Sequence, residues 1–197
     1  PTKKAISLSK KINKDARIIQ IILNESCEII SYKNNVLVTR HNLGFVNVNA
    51  GIDFSNISNN KHRVLLLPLE PNESAKKINQ FLTNKYKKKI SIIITDSQTR
   101  PFRKGVASFA IGTHNFSNLK DYKGSKDIYN NNMHLTESAL SDLIASASAI
   151  LMGEGNEMIP VVIIKGFPVQ ERFINKIDEI YTSKIEDIYK VWKPNLV

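Results

Sequence analysis

Ile90-Ser91-Ile92-Ile93-Ile94-Thr95-Asp96-Ser97-Gln98-Thr99-Arg100-Pro101-Phe102-Arg103 joins an apolar run to a polar one within a few positions. The first part, Ile90–Thr95, is rich in β-branched residues, which predicts a buried strand. Asp96 and Ser97 then follow at its carboxyl end, with Arg100 and Arg103 close behind. A carboxylate and a hydroxyl can ligate Mg²⁺ or Mn²⁺, and arginines can neutralise phosphate oxygens. The segment therefore predicts a strand that ends in a metal–phosphate site.

The chain before this segment alternates between helical and strand patterns. Apolar residues at helical spacing predict a helix over Lys14–Ser26. A second helix is predicted to begin at Asn72 or Ser74, with apolar residues Ala75, Ile78 and Phe81. Short β-rich pieces predict strands at Glu28–Tyr32, Val36–Thr39, Phe45–Asn49 and Arg63–Leu67, the first two joined by a turn at Lys33-Asn34-Asn35.

The chain after the segment continues the same alternation. It comprises a strand at Val106–Ile111, a polar loop or flap at Thr113–Asn132, a small-residue helix at Thr136–Met152, a strand at Pro160–Lys165 and an amphipathic helix at Gln170–Trp192. These patterns contain no internal repeat and no linker. They predict a single α+β domain over residues 1–197, with mixed or antiparallel sheets packed against helices.

The composition limits the class of protein. No apolar run approaches the roughly 18 residues that cross a bilayer, and no signal peptide opens the chain, so we expect a cytoplasmic protein without a membrane partner. Cys27 is the single cysteine, which excludes an internal disulfide. The formal charge of +10 suits anionic metabolites or nucleic acid. Its densest run, Lys85–Lys89, lacks the arginine and aromatic stripe of a single-strand binder and favours a solvated helix end.

Two further segments could carry chemistry. Asn49–Asn56 places Asp53 and an amide in a tight turn after a strand, although an ordinary Asx turn has the same composition. Met152–Glu157 places Glu154 between two glycines, which let a backbone approach a ligand, although a helix C-cap also explains them. No phosphate-binding lysine loop, dinucleotide fingerprint or zinc signature is present.

Four motifs occur together in one order. They are Asn-Ala-Gly-Ile-Asp-x-Ser-Asn from Asn49, Leu-Leu-Pro followed by Ser-Ala, Thr-Asp-Ser with Arg-Pro-Phe-Arg, and Met-Gly-Glu from Met152. This order resembles the family of coenzyme F420-0:L-glutamate ligases, also called γ-glutamyl ligases, over most of the chain from Asp15 to Phe167. Thr99 stands where the family usually has glycine, and Glu154 stands where some members have glutamine.

The resemblance implies an activity and a set of site residues. GTP would phosphorylate a carboxylate of the acceptor, and the amine of L-glutamate would attack the acyl phosphate to form an amide. Mg²⁺ or Mn²⁺ would be held by Asp53, Asp96, Ser97 and Glu154. GTP would contact Asn56 and the turn made of Met152, Gly153, Glu154, Gly155, Asn156, Glu157, Met158 and Ile159. We add the inference that Arg100 and Arg103 are catalytic, holding phosphate or acidic substrate groups.

Alternatives remain open at this point. The acceptor implied by the resemblance is the deazaflavin F420-0, but a folate poly-γ-glutamate ligase could use the same chemistry on the same scaffold. A basic nucleic-acid-binding module is the alternative of another class. Family members form homodimers, and we expect the same here. The chain opens at Pro1 without methionine, so we also expect a fragment that lacks the family's N-terminal segment, with its lysine-bearing nucleotide contacts.

Overall fold

The computed structural model describes residues 1–57, 63–167, 177–183 and 185–188. The chain forms two compact units: Pro1–Leu67 with Gln98–Gly105 and Tyr181–Val197, and Pro68–Ser97 with Val106–Ile180. Each unit combines helices with strands, which confirms the predicted α+β class. That residues 1–197 form a single domain stays a prediction.

The first unit opens with two short capped helices, α1 (Lys3–Ile12) and α2 (Ala16–Asn24). The side chain of Thr2 accepts a hydrogen bond from the N–H of Ala5, and Asp15 accepts one from Arg17, so each helix has a side-chain N-cap. The helix predicted over Lys14–Ser26 is confirmed as α2. Helix α1 was not predicted.

A three-stranded antiparallel sheet follows, with β1 (Ser26–Lys33), β2 (Val36–His41) and β3 (Val46–Val48) in sequence order. Asn34 and Asn35 connect β1 to β2 with φ angles of 46° and 61°, the left-handed pair of a tight hairpin turn. This confirms the three predicted strands and their turn. The core of the unit consists of Ala5, Ile12, Ile19, Ile22, Leu37, Ala50 and Ile52.

The second unit begins with α3 (Pro71–Tyr86), which starts earlier than the predicted Asn72 or Ser74. A proline suits the first helical position because its missing N–H has no partner there anyway. The side chain of Asn72 does not cap the helix, because its Oδ1 accepts the N–H of Thr113 at 3.0 Å. Ala75 is buried, whereas Ile78 and Phe81 are exposed.

Strands β4 (Ile92–Arg100) and β5 (Arg103–His114) form a two-stranded sheet and are joined by Pro101 and Phe102. The expected loop at Thr113–Asn132 is partly ordered as a flap, because β6 (Leu119–Asp121) pairs antiparallel with β7 (Glu137–Ala139). Helix α4 (Leu140–Met152) therefore begins later than the predicted Thr136, since the residues before it pair as a strand.

Two predicted strands were wrong. Arg63–Leu67 contributes only an isolated bridge between Leu65 and Asp53, and Pro160–Lys165 pairs with no strand among the described residues. Both runs are apolar enough for a strand, but a strand needs a neighbouring backbone to accept its hydrogen bonds. Val161 and Ile163 are largely exposed instead.

The predicted tail helix over Gln170–Trp192 lies mainly outside the described residues. Of the part that is described, Ile177–Ile180 forms a short 3-10 helix. Among the described helices, none is both long and apolar enough to cross a membrane.

Candidate active site

The segment Thr95–Arg100 lies within β4, rather than after a strand as predicted. The strand extends past Thr95 because β5 continues to pair alongside it, and because Thr95 and Thr99 favour extended backbone. The polar side chains of Asp96 and Ser97 therefore project from a paired strand. Such a strand holds them more firmly than a loop would.

Ser97 meets Glu154 in the second unit. The hydroxyl of Ser97 donates a hydrogen bond to Oε1 of Glu154 at 2.6 Å, across 57 positions of sequence. Glu154 can reach the strand because Gly153 ends α4 with φ 71° and ψ −177°, a backbone conformation that is open essentially to glycine alone. Two of the predicted metal ligands are thus brought together by the fold.

Glu157 folds back onto the turn that carries Glu154. Its Oε2 accepts a hydrogen bond from the N–H of Gly155 at 2.8 Å. A side chain at Gly153 would overlap the Glu157 carboxylate, so this glycine leaves the space in which the carboxylate lies. The rest of the predicted nucleotide-binding turn runs onward through Asn156 and Met158, both of them exposed.

Hydrogen bonds link helix α4 to the β4–β5 sheet, which carries Ser97. Ser108 of β5 is buried, and its Oγ lies 3.5 Å from the Oγ of Ser97. The hydroxyl of Ser146 in α4 donates to the Ser108 carbonyl at 2.7 Å. One turn earlier in the same helix, the Oδ1 of Asp142 accepts the N–H of Ala110 at 2.9 Å. These bonds set the position of α4, and so of Glu154, relative to the strands.

Asp142, Ser108 and Ser146 were not among the predicted site residues. The only signal for them is polar side chains at Asp142 and Ser146, one helical turn apart in an otherwise small and apolar helix. Burial raises the pKa of Asp142, and the hydrogen bond from Ala110 opposes that rise. We assign this carboxyl a role in packing.

Asp53 belongs to the first unit, where it begins a turn. Its Oδ1 accepts hydrogen bonds from the N–H and the hydroxyl of Ser55 at 2.8 and 2.7 Å. Partial burial pushes the pKa of Asp53 upward, but the bonds from Ser55 and the N–H of Phe54 outweigh it and hold the pKa below its ordinary value. Asp53 is therefore ionised at neutral pH, as a metal ligand requires. Asn56 lies exposed three positions later with φ 51°.

The two predicted catalytic arginines flank the tip of the β4–β5 hairpin. Arg100 ends β4, and Arg103 begins β5. The Nε of Arg100 is buried and makes no hydrogen bond within the described part of the chain, while Arg103 is exposed. A guanidinium with an unused N–H suits an incoming phosphate or carboxylate oxygen. Phe102, between the two, is fully exposed with φ 57°.

The donor set suits a hard divalent cation. Ser97 and Glu154 offer a hydroxyl and a carboxylate oxygen side by side, the ligand types that Mg²⁺ and related ions prefer. Across the described ranges, no group of three or more His, Cys, Asp or Glu side chains could hold a metal. A divalent cation held by Ser97 and Glu154 would therefore need oxygens from other groups to complete its coordination shell.

Comparison with known proteins identifies related chains. Residues 1–166 match the family described as F420-0:Gamma-glutamyl ligase. The coenzyme F420:L-glutamate ligase of Methanocaldococcus jannaschii is 41% identical over 191 residues, covering 96% of this chain and 75% of the relative. The proteins of the same name from Methanosarcina mazei and Archaeoglobus fulgidus are 40% and 36% identical, each covering 96% of this chain and 74% of the relative.

Proposed function

Since this chain belongs to the F420-0:γ-glutamyl ligase family, whose members form amide bonds, we propose that it attaches L-glutamate to coenzyme F420-0 at the expense of GTP. The family resemblance seen in the four motifs is thereby confirmed. The observation that carries the proposal is the contact between Ser97 and Glu154, which joins two separate motifs in one place.

The proposed reaction has two steps. A carboxylate oxygen of the acceptor attacks the terminal phosphorus of GTP, so that GDP leaves and an acyl phosphate forms. The amine of L-glutamate then attacks the acyl carbon. The new C–N bond replaces the C–O bond, phosphate leaves, and the amine gives up a proton. The first step activates a carboxylate that would otherwise resist an amine.

The residues divide into three roles in this proposal. Mg²⁺ or Mn²⁺ would be held by the ligands that the family resemblance implies, Asp53, Asp96, Ser97 and Glu154. The ion would supply positive charge against the triphosphate oxygens. Asn56 and the backbone of the turn over residues 152–159 would hold the nucleotide. Arg100 and Arg103 would hold the transferring phosphate or the acidic groups of the substrates, which their forked donors suit.

We also propose that the protein works as a homodimer. Helix α4 exposes a row of large apolar side chains, since Leu143, Ile150 and Leu151 are 60, 84 and 60% exposed. Apolar side chains of this size are seldom left in water together unless a partner covers them. A second copy of the chain would bury this row, and sedimentation equilibrium measures the resulting mass.

The decisive experiment offers two acceptors to the protein. F420-0 and a folate monoglutamate are each incubated with GTP, L-glutamate and Mn²⁺, and products are identified by mass spectrometry. We expect F420-0 to gain glutamyl residues only when GTP and Mn²⁺ are both present. Glutamylation of the folate but not of F420-0 would instead identify folate as the acceptor. Failure with both acceptors would overturn the ligase proposal.

A further inference from the structure

Glu157 differs from the other residues of the turn because its carboxylate already has a partner inside the turn. Its Oε2 accepts the N–H of Gly155 at 2.8 Å. The same carboxylate occupies the space next to the Cα of Gly153, where any side chain would overlap it. A residue bound in this way is poorly placed to ligate an ion or a nucleotide as well.

The contacts of Glu157 bracket Glu154 on both sides. Gly153, which precedes Glu154, packs against the Glu157 carboxylate, and Gly155, which follows Glu154, donates its N–H to it. The side chain of Glu154 then points to Ser97, whose hydroxyl it accepts at 2.6 Å. The turn is exposed and irregular, so contacts inside it contribute to holding its shape.

We propose that Glu157 is a positioning residue, which folds the turn around its own carboxylate and so aims Glu154 at the ion held with Ser97. This inference rests on the proposed function, because it takes Glu154 as a ligand of a divalent cation. The role needs an oxygen that accepts the Gly155 N–H, and it does not need a negative charge. That requirement separates positioning from direct ligation.

The test compares two substitutions of equal length. Glu157→Gln keeps an oxygen acceptor and loses the charge, whereas Glu157→Met keeps the length and loses the acceptor. Glu154→Met, which removes the hard oxygen at the same side-chain length, serves as the reference for the loss of a true ligand. For each variant, Mn²⁺ binding is measured by electron paramagnetic resonance with GTP present, and ligase turnover is measured against Mn²⁺ concentration. Thermal unfolding verifies that each variant is folded.

We expect Glu157→Gln to bind Mn²⁺ within about threefold of the wild type. Glu157→Met should bind it at least about tenfold more weakly, the loss expected for one hydrogen bond to a charged group. Turnover at saturating Mn²⁺ should change less than the Mn²⁺ requirement. Equal losses in Glu157→Gln and Glu157→Met would indicate direct ligation and overturn the inference, as would an unchanged Glu157→Met.

The same measurements distinguish failure of the proposed metal site from failure of the positioning role. A wild type that binds no Mn²⁺ and needs none for turnover would overturn the metal assignment and this inference together. A wild type that needs Mn²⁺, with a strongly impaired Glu154→Met and an unaffected Glu157→Met, would overturn the positioning role alone.

Discussion

The hydroxyl of Ser97 lies 2.6 Å from Oε1 of Glu154, and the two residues come from motifs 57 positions apart. A hydroxyl–carboxylate contact of this length is slightly shorter than the separation of neighbouring ligands around an octahedral ion with metal–oxygen distances of about 2.0–2.6 Å. An ion held by both oxygens would therefore move them only a short distance apart. Such an ion would cost little conformational entropy on binding.

Replacing Glu154 by Met should lower ligase turnover by about 100-fold and raise the Mn²⁺ requirement, because the thioether offers no hard oxygen to hold the ion. The fold should persist, since Glu154 is exposed. Turnover against Mn²⁺ concentration measures both effects. Glu73→Met, an exposed substitution in α3, is the matched control. An equal loss in the control would show that the effect is not specific to the site.

Gly153→Ala should impair the protein through Glu157. The new side chain would displace the Glu157 carboxylate, and φ 71° adds strain of about 1–3 kcal/mol. Since both residues then act on one contact, the Mn²⁺ affinity of the double variant Gly153→Ala/Glu157→Met should be close to that of Gly153→Ala alone. Gly155→Ala is the control, because its side chain would lie an ordinary 3.4 Å from Glu157 Oε2. Additive losses in the double variant would contradict the shared contact.

Gly112→Ala tests how closely α3 docks on β5. A Cβ there would lie 2.5 Å from the Cβ of Pro71 and 2.6 Å from its backbone carbon. Backbone cannot move aside as a flexible side chain can, so we expect a loss of at least about 1–3 kcal/mol in the free energy of unfolding. Gly105→Ala isolates the effect of strain, because that glycine has φ 80° and open space around it. Urea denaturation compares the two, and a smaller loss at Gly112 than at Gly105 would contradict close docking.

Elements that depend on residues close together in the sequence were predicted better than elements that depend on pairing with distant residues. The β1–β2 turn was predicted correctly because Asn34 and Asn35 adopt positive φ by their own chemistry. The extension of β4 beyond Thr95 was missed, since it depends on pairing with β5. The strand predicted at Pro160–Lys165 was wrong for a related reason. Its composition favours a strand, but no strand among the described residues pairs with it.

The candidate site was likewise predicted only in part. Asp96, Ser97 and Glu154 were selected from motifs, but the contact between Ser97 and Glu154 depends on how α4 is tied to β5 through Ser146 and Asp142. The spacing of residues along the chain does not indicate these hydrogen bonds. The predicted approach of Asp53 to Asp96 stays a prediction, as do the nucleotide contacts.

The buried histidine of β2 predicts a pH-dependent stability. Nδ1 of His41 accepts the N–H of Leu43 at 2.9 Å, and its ring stacks on Phe45 with centroids 5.2 Å apart. Burial lowers the pKa of His41, and the Glu25 carboxylate 3.7 Å from Nε2 only partly opposes this. As pH falls below about 6.5, the unfolded chain takes up a proton that the folded chain resists. Stability should therefore be complete above about pH 6.5 and decline as pH falls towards the lowered folded pKa.

The measurement is the free energy of unfolding in urea at several pH values between about 7.5 and 5.5. His41→Asn keeps an acceptor for Leu43 and cannot take up a proton, so its stability should vary less with pH. His134→Asn, at an exposed position, is the matched control and should keep the wild-type slope. If the free energy of unfolding of His41→Asn varied with pH as steeply as that of the wild type, the pH dependence would belong to other groups.

The basic charge should serve anionic metabolites rather than nucleic acid. GTP, L-glutamate and the acceptor are all anions, and a positive field speeds their encounter with a site. Arg100 has a buried Nε with no hydrogen bond to the described residues, so its guanidinium can still bind an oxygen. Lys87 is instead the C-cap of α3, where positive charge offsets the helix dipole, and Lys88 and Lys89 follow it.

Arg100→Ala should therefore lower ligase turnover at least about tenfold, the loss of one charged hydrogen bond. Changing Lys87, Lys88 and Lys89 together to Gln should leave turnover within about twofold, because surface charges of this kind contribute little locally. A nucleic-acid-binding module predicts the reverse ranking, with the lysine variant flattening a steep salt dependence of binding. Duplex and single-strand affinities from low to physiological salt, measured beside the turnover of both variants, decide between them. Tight binding at physiological salt together with an unaffected Arg100→Ala would overturn the assignment of this charge to the ligase reaction.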